Sequence, residues 1–151
     1  MQLALKEGYD QLLWTDGREH RYIDEVGMMN VMFIIDNVLT TPKLNTAILS
    51  GVTRDSVLTL AHEMGMRVEE RRISVEEIEA GLRGGKVTEA FGTGTAAVVV
   101  PIATISISGT DHSIPAPSAD SFQNKAKEML TGIRAGRLKD KHGWNHIINF
   151  W

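Results

Sequence analysis

The chain has no cysteine, which excludes disulfides and thiolate metal sites and is compatible with a reducing cytosol. It has no long hydrophobic run: Val31 to Ile35 and Ala96 to Ile102 are the longest, far short of the roughly 20 residues that span a bilayer. Its start lacks the charged-then-apolar pattern of a signal peptide. The chain therefore reads as soluble and cytoplasmic, with no membrane partner. A basic stripe is missing too. Lys and Arg number 16 against 19 Asp and Glu, a net charge of -3, and they are scattered, so nucleic acid is not an expected partner. The 5 histidines follow no metal-ligand spacing, and no metal site is expected. What is present is ordinary for a folded chain: 42% hydrophobic and 23% charged residues, with no low-complexity tract. A length of 151 residues suits a single domain, and a chain of that size buries roughly 70% of the surface its unfolded form exposes.

Punctuation by glycine and proline organises the chain. A short helix over 1–7 is stopped by Gly8. Gln11 to Trp14 and Arg21 to Val26 read as strands joined by a tight Thr15-Asp16-Gly17 turn, which places Glu25 at a strand end. Val31 to Ile35 and Val38 to Thr40 form a second hairpin around Asp36-Asn37, and Pro42 cannot continue a ladder. Ser50 is the expected cap of a helix over 52–64, with Val57, Leu58, Ala61 and Met64 on one face. Ser74 opens a shorter helix that ends at Gly84-Gly85. Val87 to Phe91, Ala97 to Ile102 and Ile105 to Ser108 read as strands, the last turning at Gly109-Thr110-Asp111. Phe122, Ala126, Met129, Leu130 and Ile133 trace a final helix from an acidic cap at Asp120 to Gly136. Trp144 and Trp151 are expected to dock the C-terminal segment. With no repeat and no linker, the order βββ-α-α-βββ-α predicts one α+β domain.

Three segments carry chemistry. Gly92-Thr93-Gly94-Thr95 lets backbone N–H groups face an anion without a β-carbon in the way, although an isolated turn of this kind is more often only a turn. Ser50-Gly51-Val52-Thr53 opens a helix, where unpaired N–H groups and the positive dipole end favour an anion; most such ends bind only water. Glu25 is a surface acid unless a buried cation, such as a protonated pyridine nitrogen, meets it.

In combination, Glu-Val-Gly-x-Met-Asn, then Ile-Leu-x-Gly-Val-x-Arg, then Phe-Gly-x-Gly-Thr-Ala resemble the cofactor pocket of branched-chain aminotransferases, pyridoxal 5'-phosphate (PLP) enzymes of fold type IV. The likeness runs from about Gln2 to Trp144, and includes Tyr9 to Gly17 and a strand at Arg67 to Glu70. It implies the C-terminal domain of that fold, β-strands curled as a partial barrel and flanked by helices, with residues 1–151 forming most of it. It also implies roles. Glu25 would pair with the pyridine nitrogen and Leu49 would pack on the ring. Gly51, Val52 and Thr53 would bind the phosphate, with Gly94 and Thr95 closing the cup. Thr95 and Ala96 would receive the substrate carboxylate. Met28 stands where threonine is common, and Ser50 replaces the usual proline. Ala97 and Val100 fall where some relatives carry a Cys-x-x-Cys redox switch, so that regulation is not expected.

The resemblance leaves one gap. The family's Schiff-base lysine lies upstream of the matched segments, and Lys6, Lys43, Lys86, Lys125, Lys127, Lys139 and Lys141 do not stand in its context. No catalytic residue is therefore assigned in this chain, and the small N-terminal domain and lysine-bearing segment are expected to be absent from it. The implied function is the C-terminal fragment of a branched-chain aminotransferase, inactive alone, whose whole enzyme acts on leucine, isoleucine or valine with 2-oxoglutarate/glutamate. An alternative is a noncatalytic phosphate- or partner-binding module. Apolar surface left open by the missing parts would favour a homo-oligomer, a dimer or larger.

Overall fold

The computed structural model of the chain describes residues 2–148. Their elements run in the order α1 (Gln2–Lys6), β1 (Leu13–Thr15), β2 (Ile23–Val26), β3 (Met29–Ile35), β4 (Val38–Pro42), α2 (Val52–Glu63), β5 (Arg67–Arg71), α3 (Val75–Arg83), β6 (Val87–Gly94), β7 (Val98–Pro101), β8 (Thr104–Ile107), β9 (Thr110–Ser113) and α4 (Phe122–Arg134). Met1 and Trp151, named above in the first helix and the C-terminal docking, lie outside the described residues. Trp144 stacks on His142 at 4.2 Å between ring centroids.

Strand β3 organises the sheet. Along Val31-Met32-Phe33-Ile34 side chains alternate between faces, and both faces are buried. Met32 and Ile34 join Leu39, Leu60, Phe91 and the apolar sides of α2 and α4 in one core. Val31 and Phe33 join Ile73, Ile78, Ile105 and Ile107 in a second core beneath α3 and the β8–β9 hairpin. The seven-stranded sheet is thus a middle layer. On one side β3 pairs with β2 and with β4, on the other with β6, which carries β7. β4 and β5 are parallel, joined through α2, as a crossover through a helix permits. β8 and β9 pair separately. The architecture is α+β, as expected, and the strands curl without closing into a barrel.

Four local readings are corrected. Pro42, expected not to continue a ladder, is the last residue of β4 and lies opposite Arg71 of β5, because the ladder there is carried by the Lys43 N–H, which donates to the Arg71 carbonyl at 3.0 Å. Thr110 and Asp111, read as part of a turn, open β9 (Thr110–Ser113), because the turn is confined to Ser108-Gly109, both at positive φ. The connection after β1 is longer than a tight turn: the Asp16 carboxylate accepts the N–H groups of Glu19, Arg21 and Tyr22 at 2.7, 2.9 and 2.8 Å, which rounds the loop before β2 begins. Helix α4 is capped at Ser121 and not at Asp120. The carboxylate that serves its first N–H groups comes from another element: Glu89 of β6 accepts from Phe122 at 2.8 Å and Gln123 at 2.9 Å.

Glu89→Ala removes both bonds and is expected to cost about 1–2 kcal/mol, the range of a lost cap, seen as a lower urea midpoint at unchanged slope. The Tyr22 and Glu19 N–H groups hold the Asp16 carboxyl well below the usual carboxylate range. A depressed folded value stabilises the protein above the unfolded value of about 3.9 and is lost as pH falls through the folded one. Asp16→Asn is therefore expected to flatten the stability loss between about pH 5 and pH 2. Matching pH profiles for parent and variant would remove Asp16 from that role.

Candidate functional site

The β2–β3 connection is the two-residue turn Gly27-Met28, with Val26 opposite Met29 and Glu25 opposite Asn30. Gly27 has φ +57°, a conformation that favours glycine, and a β-carbon there would also displace the exposed Gln11 side chain. On the far side of β3, Asn30 is opposite Thr93 of β6. The period of two then aligns Glu25, Asn30 and Thr93 on one face in a row across three strands. Two residues further along, the same face carries the opposed pair Met32 and Phe91, both in the α2/α4 core. The polar row is thus the end of the sheet face on which α2 packs.

Helix α2 brings its N-terminus to that row. Its cap is Gly51, in extended conformation and with no side-chain capping bond. The expected Ser50 cap is displaced by one residue because the chain turns into the helix only after Gly51. Ser74 caps α3 through the Glu77 N–H at 3.1 Å, and Glu89 serves α4, whereas the first N–H groups of α2 open into a cleft. Arg54, 4% exposed, anchors this end: its Nη2 donates to the Pro42 carbonyl at 3.0 Å and to Glu70 Oε2 at 2.7 Å, tying α2 to β4 and β5. The segment before the helix is tied as well, since the Leu49 N–H donates to Glu25 Oε1 at 3.0 Å and Asn30 Nδ2 donates to the Leu49 carbonyl at 2.8 Å.

The resulting cleft has a volume of about 350 Å³ and is lined by Glu25, Gly27, Met28, Asn30, Leu49, Gly51, Val52, Thr53, Thr93, Gly94 and Thr95. Every cofactor-binding residue named from the sequence, Glu25, Leu49, Gly51, Val52, Thr53, Gly94 and Thr95, is in this set. Ala96 is not; it lies exposed in the turn between β6 and β7. That turn ends at Val98 with φ +62°, a costly conformation for a β-branched residue. Asn30 and Thr93 escaped the site reading. Counting outward from Gly27-Met28 as a two-residue hairpin loop would have paired Glu25 with Asn30, but no sequence signal places β6 beside β3.

The cleft is chemically two-sided. Glu25 supplies a carboxylate whose Oε1 is engaged by Leu49 and whose Oε2 accepts no hydrogen bond among the described residues. Opposite charge preference comes from the start of α2. Thr93 Oγ1 is buried without a partner among the described residues, so its hydroxyl is open to a water or a ligand group in the cleft. Met28, Leu49 and Val52 form an apolar rim, 92%, 72% and 84% exposed. No lysine is among the lining residues. A larger cavity, about 570 Å³, lies between residues 4–13 and 100–106, but contains none of the expected residues. The Tyr9 hydroxyl beside it donates to Asp111 Oδ1 at 2.7 Å, holding that carboxyl below its ordinary range. Among the described residues no helix is long and apolar enough to cross a membrane.

A carboxylate faces a helix start and a glycine-threonine strand end across this cleft, an arrangement chemically suited to a small molecule with an anionic group. Residues 1–105 match the family model for amino-transferase class IV, and the chain belongs to that family. It is 44% identical over 141 residues to a probable branched-chain-amino-acid aminotransferase of Staphylococcus epidermidis, covering 93% of this chain and 39% of that protein. It is 41% identical over 143 residues to branched-chain-amino-acid aminotransferase 2 of Bacillus subtilis, covering 95% and 39%. The chain thus spans about two fifths of the length of the curated relatives it matches. Among solved structures, the Escherichia coli branched-chain amino acid aminotransferase superposes with a TM-score of 0.77 at 29% identity, over 95% of this chain and 43% of that one. The Thermobaculum terrenum enzyme, solved in its PLP form, gives 0.74 at 29% identity over 90% and 41%. The fold is that of the fold type IV aminotransferases.

Proposed function

We propose that this chain provides the PLP-holding face of a branched-chain aminotransferase, which exchanges the amino group between leucine, isoleucine or valine and 2-oxoglutarate or glutamate. The observation that carries the proposal is the convergence of Glu25, the uncapped start of α2 and Thr93 to Thr95 on one cleft. The groups present suit the cofactor. The N–H groups of Val52 and Thr53 and the Thr95 hydroxyl would hold its phosphate, with Thr93 Oγ1 as a further donor. Gly51 and Gly94 keep side chains out of the way. Leu49 would pack on the ring. The Glu25 carboxylate would accept from the pyridine N–H and keep that proton in place, a charge-assisted bond of about 1.5–3 kcal/mol. When bound, the cofactor supplies an electron sink for the substrate α-carbon. Thr95 and Ala96 N–H groups would receive the substrate carboxylate, Ala96 from the rim.

Moving the α-carbon proton in this chemistry is the task of a lysine, and the cleft has none among its lining residues. We infer that residues 1–151 form one cytoplasmic domain that does not transfer amino groups unaided, and that the exposed rim of Met28, Leu49 and Val52 suits cover by another chain, as in a homo-oligomer. The same lack of a lysine favours a second reading, a noncatalytic module that binds phosphate or a partner. Adding the lysine-bearing N-terminal portion of a relative separates the two: restored amino transfer supports the enzyme, binding without transfer the module. For the chain alone, borohydride reduction after incubation with PLP, followed by intact-mass analysis and peptide mapping, is expected to leave no stoichiometric adduct on any single lysine. One such adduct would show that the chain carries its own anchor.

A further inference from the structure

We propose that Asn30 is a positioning residue of this cleft: its side-chain amide fixes the Glu25 carboxylate relative to the loop that opens α2. The proposal deepens the functional reading and rests on it only for the identity of the ligand. Asn30 is 5% exposed and occupies the middle of the Glu25–Asn30–Thr93 row. Its Nδ2 carries two protons. One goes to the Leu49 carbonyl at 2.8 Å, and the other points to Glu25 Oε1 at 3.4 Å. The Leu49 N–H closes the ring by donating to that same carboxylate oxygen at 3.0 Å. The Oδ1 side of the amide lies over Gly51, where a β-carbon would come within 2.3 Å of it. A single amide therefore touches the acid, the loop backbone and the helix cap. No other short side chain does this. Ionised aspartate offers only acceptors to a carboxylate and a carbonyl that both need donors, and alanine leaves the Leu49 carbonyl without its partner. Loss of the amide should let Glu25 and the Leu49–Gly51 segment move independently, while the apolar pairs further along β3 keep the sheet in register.

The test begins with the ligand-free chain. Asn30→Ala should raise amide hydrogen exchange at Leu49 roughly tenfold, the equivalent of one net hydrogen bond, and leave Met32 and Phe33 protected. Glu25→Ala removes the acceptor of the Leu49 N–H and should raise its exchange in the parent, but by less in the Asn30→Ala background, since contacting residues couple. Unchanged Leu49 exchange in folded Asn30→Ala, or additive effects, would overturn the proposal. Should Asn30→Ala not fold, Asn30→Asp keeps the shape without the donors and must expose Leu49 in the same way. In the unsubstituted chain, an Asn30 side-chain proton should exchange more slowly than those of exposed Asn37; equal rates would contradict the proposal. With PLP as probe, Asn30→Ala should weaken binding roughly tenfold, and the further loss from Glu25→Gln should be smaller in that background than in the parent. A parent chain that binds no PLP would sink the functional reading, while the exchange measurements still decide the role of Asn30.

Discussion

The alternation of side chains along β3 is the constraint on which the rest of the molecule depends. Because Val31 and Phe33 are needed in one core and Met32 and Ile34 in the other, the strand cannot slip by one residue without turning each set into the wrong layer. The Gly27-Met28 turn transmits that register to β2, and the ladder to β6 transmits it to Thr93. The polar row at the sheet end is therefore a consequence of packing on either side of it. Function and stability share one device: hydrophobic burial fixes the strand, and the fixed strand sets which residues face the cleft.

The same economy explains the start of α2. Arg54 holds it against the ends of β4 and β5 through the Pro42 carbonyl and the exposed Glu70 carboxylate, and a buried guanidinium of this kind is costly to leave without its acceptors. The helix end is thus kept in place by a residue that does not line the cleft, leaving its first N–H groups for a ligand. An uncapped helix start and a buried hydroxyl without a partner are each mildly unfavourable in the free protein. Both sit in the same cleft, where one anion would satisfy both.

Much of this was legible in the sequence, and the parts that were not share a physical cause. Strands β3, β4 and β6 and helices α2, α3 and α4 follow from apolar periodicity, which is local. The residues proposed to hold the cofactor were named through short motifs far apart in the chain, and they line one cleft. The two caps were misread for different reasons, one because the helix start carries no side-chain cap and the other because its partner is distant. Ser50 and Asp120 are good capping residues by type, but Gly51 takes the first position, and Glu89, on a different strand, serves the second. Asn30 was visible as part of a motif and not as a contact, because its role depends on Leu49 folding back over β2. Thr93 needed the β3–β6 pairing. The β9 strand was hidden because Thr110, Asp111 and Ser113 are polar and only His112 of that strand is buried.

The most direct measurement is an amide chemical-shift titration of the labelled chain with PLP. Saturable shifts at Val52, Thr53 and Thr93 to Thr95, with Glu25 and Leu49 among the responding residues, are expected if the cleft at the start of α2 holds the cofactor. Shifts confined to residues 4–13 and 100–106 around the larger cavity, or none at saturating cofactor, would contradict it.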